Sequence, residues 1–156
     1  MRWILLLAGL LSLALLPARA GHKPPQIIMR IYVQTAGEGL PETEAHEVSV
    51  PPNGENIQIR ALPEVTEQEL INVQTDAVGN AHFQFDEEGQ VALDTVTGQN
   101  QGRILVVMIN GYIVYAPIID EQISNGELIV PHPLKPEVIQ MLEETAQRNV
   151  KQTKHA

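Results

Sequence analysis

The chain has 156 residues, with 10 Lys and Arg against 19 Asp and Glu, a formal net charge of −9 and no cysteine. The lack of cysteine excludes disulfides, thiol catalysis and cysteine-based zinc sites. The negative charge argues against non-specific binding to nucleic acid or to an anionic membrane surface, because both would repel the protein at long range. The length favours a single domain with an ordinary hydrophobic core.

The first twenty residues have the pattern of an export signal. Arg2 precedes an apolar run over residues 3–16, and Ala18 and Ala20 form an Ala-x-Ala cleavage site behind Pro17. The run is shorter than the roughly 20 apolar residues of a membrane span. We predict a cleavable signal peptide over 1–20, with an uncleaved anchor as the alternative. The mature protein is then periplasmic or secreted, with no membrane span.

The mature chain is predicted to have three parts. These are a flexible leader over 21–26, a single domain over 27–150 and a frayed tail over 151–156. Signal cleavage would remove Arg2 and Arg19 and leave 8 basic against 19 acidic residues, a formal charge of −11. This acidity favours solubility and a basic or neutral partner.

The first elements are predicted to be strands. Residues 27–33 are rich in β-branched side chains, and a turn-rich connection follows over 35–43. Residues 46–50 and 56–60 each alternate polar with apolar side chains, and Pro51 to Gly54 separate them. The pattern predicts an edge hairpin with one solvated face.

The middle of the chain mixes helix and strand signals. Residues 66–71 open with Thr66 followed by Glu69, the spacing of a helix capping box, and predict a short helix. Residues 80–86 alternate and predict a strand. A helix is predicted over 90–97, because acidic residues precede it, where the helix dipole favours negative charge.

The strongest local signal is the apolar run over 103–109, which Asn110-Gly111 separates from a second run over 112–115. Asn-Gly favours a type I′ turn, so the runs should form a tight hairpin whose first strand is central and buried. Pro117 should end or bend the second strand.

Two elements close the chain. Residues 127–130 predict a further short strand after the Asn125-Gly126 turn, and residues 136–150 have apolar side chains at near-helical spacing behind Pro136. Strands interspersed with hairpins and helices indicate the α+β class. We expect a mostly antiparallel sheet with two or three helices packed on one face.

A series of motifs follows in a fixed order from about residue 63 to residue 142. They are the Thr66-x-x-Glu69 start, the turns at Asp76 to Gly79 and Asp86 to Gly89, Thr97 with Asn100, Gly102 and Arg103, the Asn110-Gly111 hairpin, Ala116-Pro117, Ile123, Gly126 and the closing helix. This order resembles the head subdomain of the large periplasmic domain of SecD, the auxiliary membrane component of the bacterial protein-export machinery. The resemblance implies the fold and contact with exported or unfolded polypeptides. SecD carries transmembrane helices that couple proton flow to translocation, and no such helix is predicted after the signal here, so the motor activity is not implied.

Catalytic and ligand-binding motifs are weak. His46, His82 and His132 lie outside any known catalytic or metal motif, with other histidines at positions 22 and 155. Asp86-Glu87-Glu88-Gly89 has its glycine too early for a twelve-residue calcium loop. The glycines at 98 and 102 follow a predicted helix, so no helix dipole aims their amides at a phosphate. We therefore expect no enzyme activity, no cofactor and no metal.

Two surfaces are candidates for a protein or extended-peptide partner. One is the sheet edge at the strand of Val48 or of Ile57, where a peptide could add by main-chain hydrogen bonds. The other is the apolar hairpin-to-loop region of Tyr112, Tyr115, Ile118 and Ile119, for which core packing is the competing explanation.

Three functional hypotheses follow. The first is a non-enzymatic periplasmic interaction module that contacts exported or unfolded polypeptides or an envelope partner. The second is a hydrolase or metal-dependent enzyme that uses histidines and carboxylates. The third is a structural or inhibitor domain that has kept only the fold.

Overall fold

A computed structural model describes residues 26–35 and 44–154. The described chain forms nine strands and two helices. In chain order they are β1 (Met29–Val33), β2 (Ala45–Val50), β3 (Glu55–Arg60), β4 (Val65–Thr66), β5 (Leu70–Thr75), β6 (Ala81–Phe85), α1 (Glu87–Gln99), β7 (Leu105–Ile109), β8 (Tyr112–Tyr115), β9 (Glu127–Val130) and α2 (Pro136–Thr153).

A four-stranded antiparallel sheet has the order β4-β1-β7-β8. β1 and β7 lie in its middle and pair from Met29 with Ile109 to Val33 with Leu105. Both strands are buried nearly throughout, as expected for apolar runs that are covered on both faces. The central position predicted for the first strand of the Asn110-Gly111 hairpin is confirmed.

The main core lies between this sheet and a three-stranded sheet of order β5-β6-β9. The largest buried side chains of β6 are Phe83 and Phe85, which are 0% and 2% exposed. Both helices contribute to the same core, α1 through Leu93 and α2 through Leu142. α2 packs against β5, and α1 contacts β4 and β6.

The hairpin of β2 and β3 covers the opposite face of the four-stranded sheet. Its Val50, Ile57 and Ile59 pack with Tyr32 of β1 and Val106 of β7 in a second, smaller core. β1 and β7 contribute to both cores, because successive side chains of a strand point to opposite faces of its sheet.

The α+β class, the mostly antiparallel pairing and the presence of two helices are confirmed. The strands divide among three sheets. α1 begins at Glu87, where the Asp86 carboxylate accepts a hydrogen bond from the Gly89 amide at 3.0 Å. The acidic turn at 86–89 is therefore a helix cap.

The helix predicted over 66–71 is wrong. Thr66 belongs to β4 and pairs with Arg30 of β1, and Leu70 opens β5. The Glu69 carboxylate does accept bonds from the Thr66 amide at 2.7 Å and the Thr66 hydroxyl at 2.8 Å. These bonds close a turn between two strands, because the backbone on both sides is already paired in a sheet.

α2 has Pro136 at its start and no side-chain cap on Lys135, and it continues past the predicted end at Val150 to Thr153. Asn149 fastens it to the turn before β5 by donating to the Glu67 and Leu70 carbonyls, both at 2.8 Å. Across 26–35 and 44–154, no helix has the length and apolar character to cross a bilayer. The predicted signal peptide, most of the predicted leader and the 36–43 connection lie outside the described residues.

Candidate peptide-binding groove

Each of the two larger sheets ends in two terminal strands, which are β4 and β8 in the four-stranded sheet and β5 and β9 in the three-stranded sheet. An unpaired strand edge presents backbone N–H and C=O groups that can pair with another chain. Residues of β8 and β9 line a common groove. The edges of these two strands are therefore the candidate binding surfaces.

The edge of β8 is irregular and continues beyond Tyr115. The pairing of β7 with β8 shifts register between Val107 and Met108, which produces a bulge. Beyond Tyr115 the chain still pairs with the residues at the start of β7. The Leu105 amide donates to the Pro117 carbonyl at 2.9 Å, and the Ile119 amide donates to the Arg103 carbonyl at 2.8 Å. In an antiparallel ladder the residues between such bonded positions point their backbone groups away from the partner strand. Ile118 therefore directs its N–H and C=O outward.

The edge of β9 is shorter and more regular. The Phe85 amide donates to the Gly126 carbonyl at 2.9 Å, so the alternation of the ladder turns the backbone groups of Glu127 and Ile129 away from β6. The Glu127 amide donates a hydrogen bond to the side-chain oxygen of Asn125 at 3.0 Å, so this N–H already has a partner. The Glu127 carbonyl and both backbone groups of Ile129 face outward.

A groove of about 470 Å³ lies between these two edges. Its β8 side includes Tyr115, Pro117 and Ile119, and its β9 side includes Glu127, Leu128 and Ile129. The remaining lining residues come from α1, β7 and the loop before β9: Thr97, Leu105, Asp120, Glu121, Gln122, Ile123, Ser124 and Asn125.

Bonds to α1 hold the loop before β9. The buried Thr97 hydroxyl accepts a bond from the Ile123 amide at 2.8 Å, and Gln122 donates to the Asp94 carboxylate at 2.8 Å. The Gln90 side chain donates to the Ser124 carbonyl at 2.7 Å. The groove wall is therefore positioned by three successive contacts with one rigid helix.

A second groove, of about 420 Å³, flanks β8 on the side of the β2–β3 turn. Ile113, Val114, Tyr115 and Ala116 line it together with Pro51, Pro52 and His132. Residues of β8 therefore line two open grooves.

A histidine lies between two carboxylates behind the β9 edge. His82 Nδ1 is 2.7 Å from Glu127 Oε1, and His82 Nε2 is 3.4 Å from Asp76 Oδ2. The bond to Glu127, with a smaller contribution from Asp76, raises the pKa of His82 although burial opposes the shift. Burial acts to raise the pKa of Asp76, but bonds from Asn80, Val78 and His82 outweigh it and lower the pKa to about 2.

We expect His82 to make folding stability depend on pH. Its pKa is higher in the folded than in the unfolded chain, so its stabilising contribution is complete below the ordinary value of 6.5 and is lost as pH rises through the folded pKa. Urea titrations between pH 5 and pH 9 should show this loss for the wild type and its absence for His82→Gln. The exposed His46 of β2 supplies the control His46→Gln. A difference between wild type and His82→Gln that does not change with pH would contradict this assignment.

The predicted partner-binding residues differ in their exposure to solvent. Tyr112 and Ile118 are 77% and 64% exposed, and Tyr115 is half-buried beside both grooves. Ile57 and Ile119 are each 5% exposed, so their side chains are core residues. Ile57 belongs to the smaller core and Ile119 to the main core.

The Ile57 strand is also less open than the sequence suggests. The Thr35 amide donates to the Gln58 carbonyl at 2.8 Å, and Gln34 forms a bridge with Ile59. The chain leaving β1 therefore occupies part of the outer edge of β3. β2 remains the more open side of that hairpin.

The histidines that suggested a hydrolase lie on different elements: His46 on β2, His82 on β6 and His132 in the loop after β9. Within 26–35 and 44–154, no group of three or more His, Cys, Asp or Glu residues has the geometry to hold a metal ion. His82 instead links β6, β9 and the turn at Asp76.

Sequence reasoning did not identify β9 as an edge strand. It identified the strand over 127–130 but not its terminal place in a sheet, which depends on pairing with β6 over forty residues earlier in the chain. The sequence offers one local signal, which is that Ile129 is apolar at a position where an alternating strand would have a polar residue. In the structure Ile129 is 42% exposed.

Comparisons with known proteins gave similarity in structure alone. No protein-family model matches the chain, and no curated protein matches it in sequence. A structure of SecDF, described as a membrane component that enhances protein export, matches with a TM-score of 0.55 and 16% identity. The match covers 78% of this chain and 62% of that one.

A second structure, SecDF in its super-membrane-facing form, matches with the same TM-score of 0.55 and 16% identity. It covers 77% of this chain and 18% of the SecDF chain, so this protein corresponds to a small part of that molecule. At this identity the likeness concerns the fold. The chain therefore has a SecD-like α+β fold, as the order of its sequence motifs indicated.

Proposed function

We propose that this protein is a non-enzymatic interaction module of the cell envelope that binds extended polypeptide segments, among them exported or unfolded chains. The observation that carries the proposal is the groove bordered by two unpaired strand edges, β8 with its continuation and β9. The SecD-like fold supports a role connected with protein export.

Backbone pairing suits this role on physical grounds. An added strand gains its affinity from main-chain hydrogen bonds, which every non-proline residue can form, and neighbouring pockets add only moderate selectivity. A module that meets many unfolded clients requires this tolerance. Folded proteins have their backbone groups already paired and would compete poorly for the same edges.

Photo-crosslinking in intact cells tests the proposal. A photoreactive residue at Ile118, which is 64% exposed and lies between the groove-lining residues Pro117 and Ile119, should form adducts with many exported polypeptides. The same group at Leu62, which is 79% exposed on a different surface, should form few. Equal adducts at both positions, or none at Ile118, would contradict the proposal and favour a domain that has kept only the fold.

A substitution at the β9 edge should separate backbone pairing from side-chain contact. Ile129→Pro removes an outward N–H, and proline is tolerated at an edge strand when its N–H side faces solvent. Ile129→Thr changes the side chain and keeps the N–H. We expect Ile129→Pro to lose most of the adducts at Ile118 and Ile129→Thr to retain them, with circular dichroism confirming that both variants are folded. Equal loss in both variants would show that side-chain contact dominates.

A further inference from the structure

The groove between β8 and β9 is acidic. Asp120, Glu121 and Glu127 line it, and its lining contains no Lys or Arg. Asp120 and Glu121 are exposed and form no hydrogen bond or ion pair within the described residues, whereas His82 holds Glu127. Two carboxylates at the groove wall are thus available to a bound chain.

The two faces of β9 differ in character. Leu128 and Val130 are 3% and 0% exposed and face the core, while Glu127 and Ile129 point to the solvated face of the sheet. A chain added to the outer edge would alternate in the same way, because adjacent strands share the pleat of the sheet. One set of its side chains would meet the groove floor at Leu128 and Ile123, and the other would lie beside Glu127.

We propose that the groove selects an extended segment in which Lys or Arg residues alternate with apolar residues, and that this segment pairs with the outer edge of β9. The apolar side chains contact the groove floor, and the basic ones lie on the solvated face beside Glu127, within the field of Asp120 and Glu121. Opposite charges placed across neighbouring strands stabilise the pairing. This inference rests on the proposed function and names the class of polypeptide that the groove prefers.

The acidic surface as a whole also attracts basic peptides, so the selectivity must be traced to the groove. Long-range attraction depends on net charge and acts on every part of the surface. Contacts in the groove depend on the positions of individual carboxylates. Variants that change net charge equally at different places distinguish the two effects.

Fluorescence anisotropy with three labelled ten-residue peptides provides the test. Each peptide alternates Val with one other residue: Lys in the first, Gln in the second and Glu in the third. We expect the Lys peptide to bind about five- to tenfold more tightly than the Gln peptide at low salt, since each exposed charge pair contributes modestly. The Glu peptide should bind weakest, and added salt should reduce the differences.

The double variant Asp120→Asn, Glu121→Gln should lower the affinity for the Lys peptide and leave that for the Gln peptide unchanged. The control is Glu47→Gln, Glu55→Gln, which removes the same charge from two exposed positions of the β2–β3 hairpin. Equal loss in both double variants would overturn the proposed selectivity, because net charge alone would then explain it.

A fourth peptide, the Lys peptide with alternate backbone amides methylated, tests strand pairing without altering the protein. Its binding should be largely lost. Equal binding of the Lys and Gln peptides, with loss on methylation, would overturn the charge preference and leave the proposed function intact. Binding that survives methylation would overturn the pairing with β9. No binding by any of the peptides would overturn both the inference and the proposed function.

Discussion

Gly89→Ala is expected to destabilise the protein by about 2 kcal/mol, although alanine is the better helix former by about 1 kcal/mol. Gly89 lies in the first turn of α1, where an added Cβ would be 2.7 Å from the Phe85 Cβ and 3.0 Å from the Glu69 Cβ. These neighbours cannot move without shifting their backbones. A displaced helix start would also strain the bond from the Gly89 amide to Asp86.

Gly98→Ala in the same helix is the matched control. Its Cβ would meet the amide end of Gln122, with Nε2 at 3.0 Å, and an exposed flexible side chain can move aside. We expect this variant to be between neutral and about 1 kcal/mol more stable than wild type. Urea unfolding followed by circular dichroism measures both. Equal stability changes for the two variants would show that packing at Gly89 does not decide the outcome.

Thr97→Val is expected to cost about 1–3 kcal/mol, although the two side chains have nearly the same shape. Thr97 is fully buried, and its hydroxyl donates to the Leu93 carbonyl at 2.6 Å while it accepts from the Ile123 amide at 2.8 Å. Valine leaves the Ile123 amide without that partner. The loop that forms the groove wall would then lose one of its bonds to α1.

Thr95→Val provides the comparison, because Thr95 is exposed on the same helix. We expect its stability to stay within about 0.5 kcal/mol of wild type. Hydrogen exchange adds a local measurement: the Ile123 amide should exchange faster in Thr97→Val and unchanged in Thr95→Val. A Thr97→Val protein of wild-type stability with unchanged exchange at Ile123 would show that this bond does not hold the loop.

The hairpin of β7 and β8 shows what local sequence can predict. The Asn110-Gly111 turn requires positive φ at both positions, and the structure has φ of 50° and 83° there. The runs on either side then pair because the turn fixes their register. Every step depends on residues adjacent in the chain, so no distant contact is needed to predict it.

The segment at 66–71 shows where local prediction fails. Thr66 and Glu69 form the hydrogen bonds of a capping box, but the Glu67 amide donates to the Met29 carbonyl and the Glu64 amide to the Ile31 carbonyl. Those partners lie in β1, far along the chain. Pairing with β1 removes the backbone groups that a helix would use.

The candidate site depends still more on tertiary structure. The exposed Tyr112 and Ile118 and the half-buried Tyr115 lie in the region that the sequence indicated, while Ile57 and Ile119 are packed inside. Isoleucine occurs in both groups. Only the layer that covers each strand face decides which isoleucine is buried.

The sequence alone determined the α+β class, the two helices, the central hairpin and the SecD-like order of motifs, because these follow from periodicity, turn residues and caps within short segments. The tertiary structure decided that the strands divide among three sheets, that β8 and β9 are left as edges, and that Asp120, Glu121 and Glu127 line one groove. The reason is physical: the final place of β8 and β9 in their sheets is set by pairing between segments that are distant in the chain.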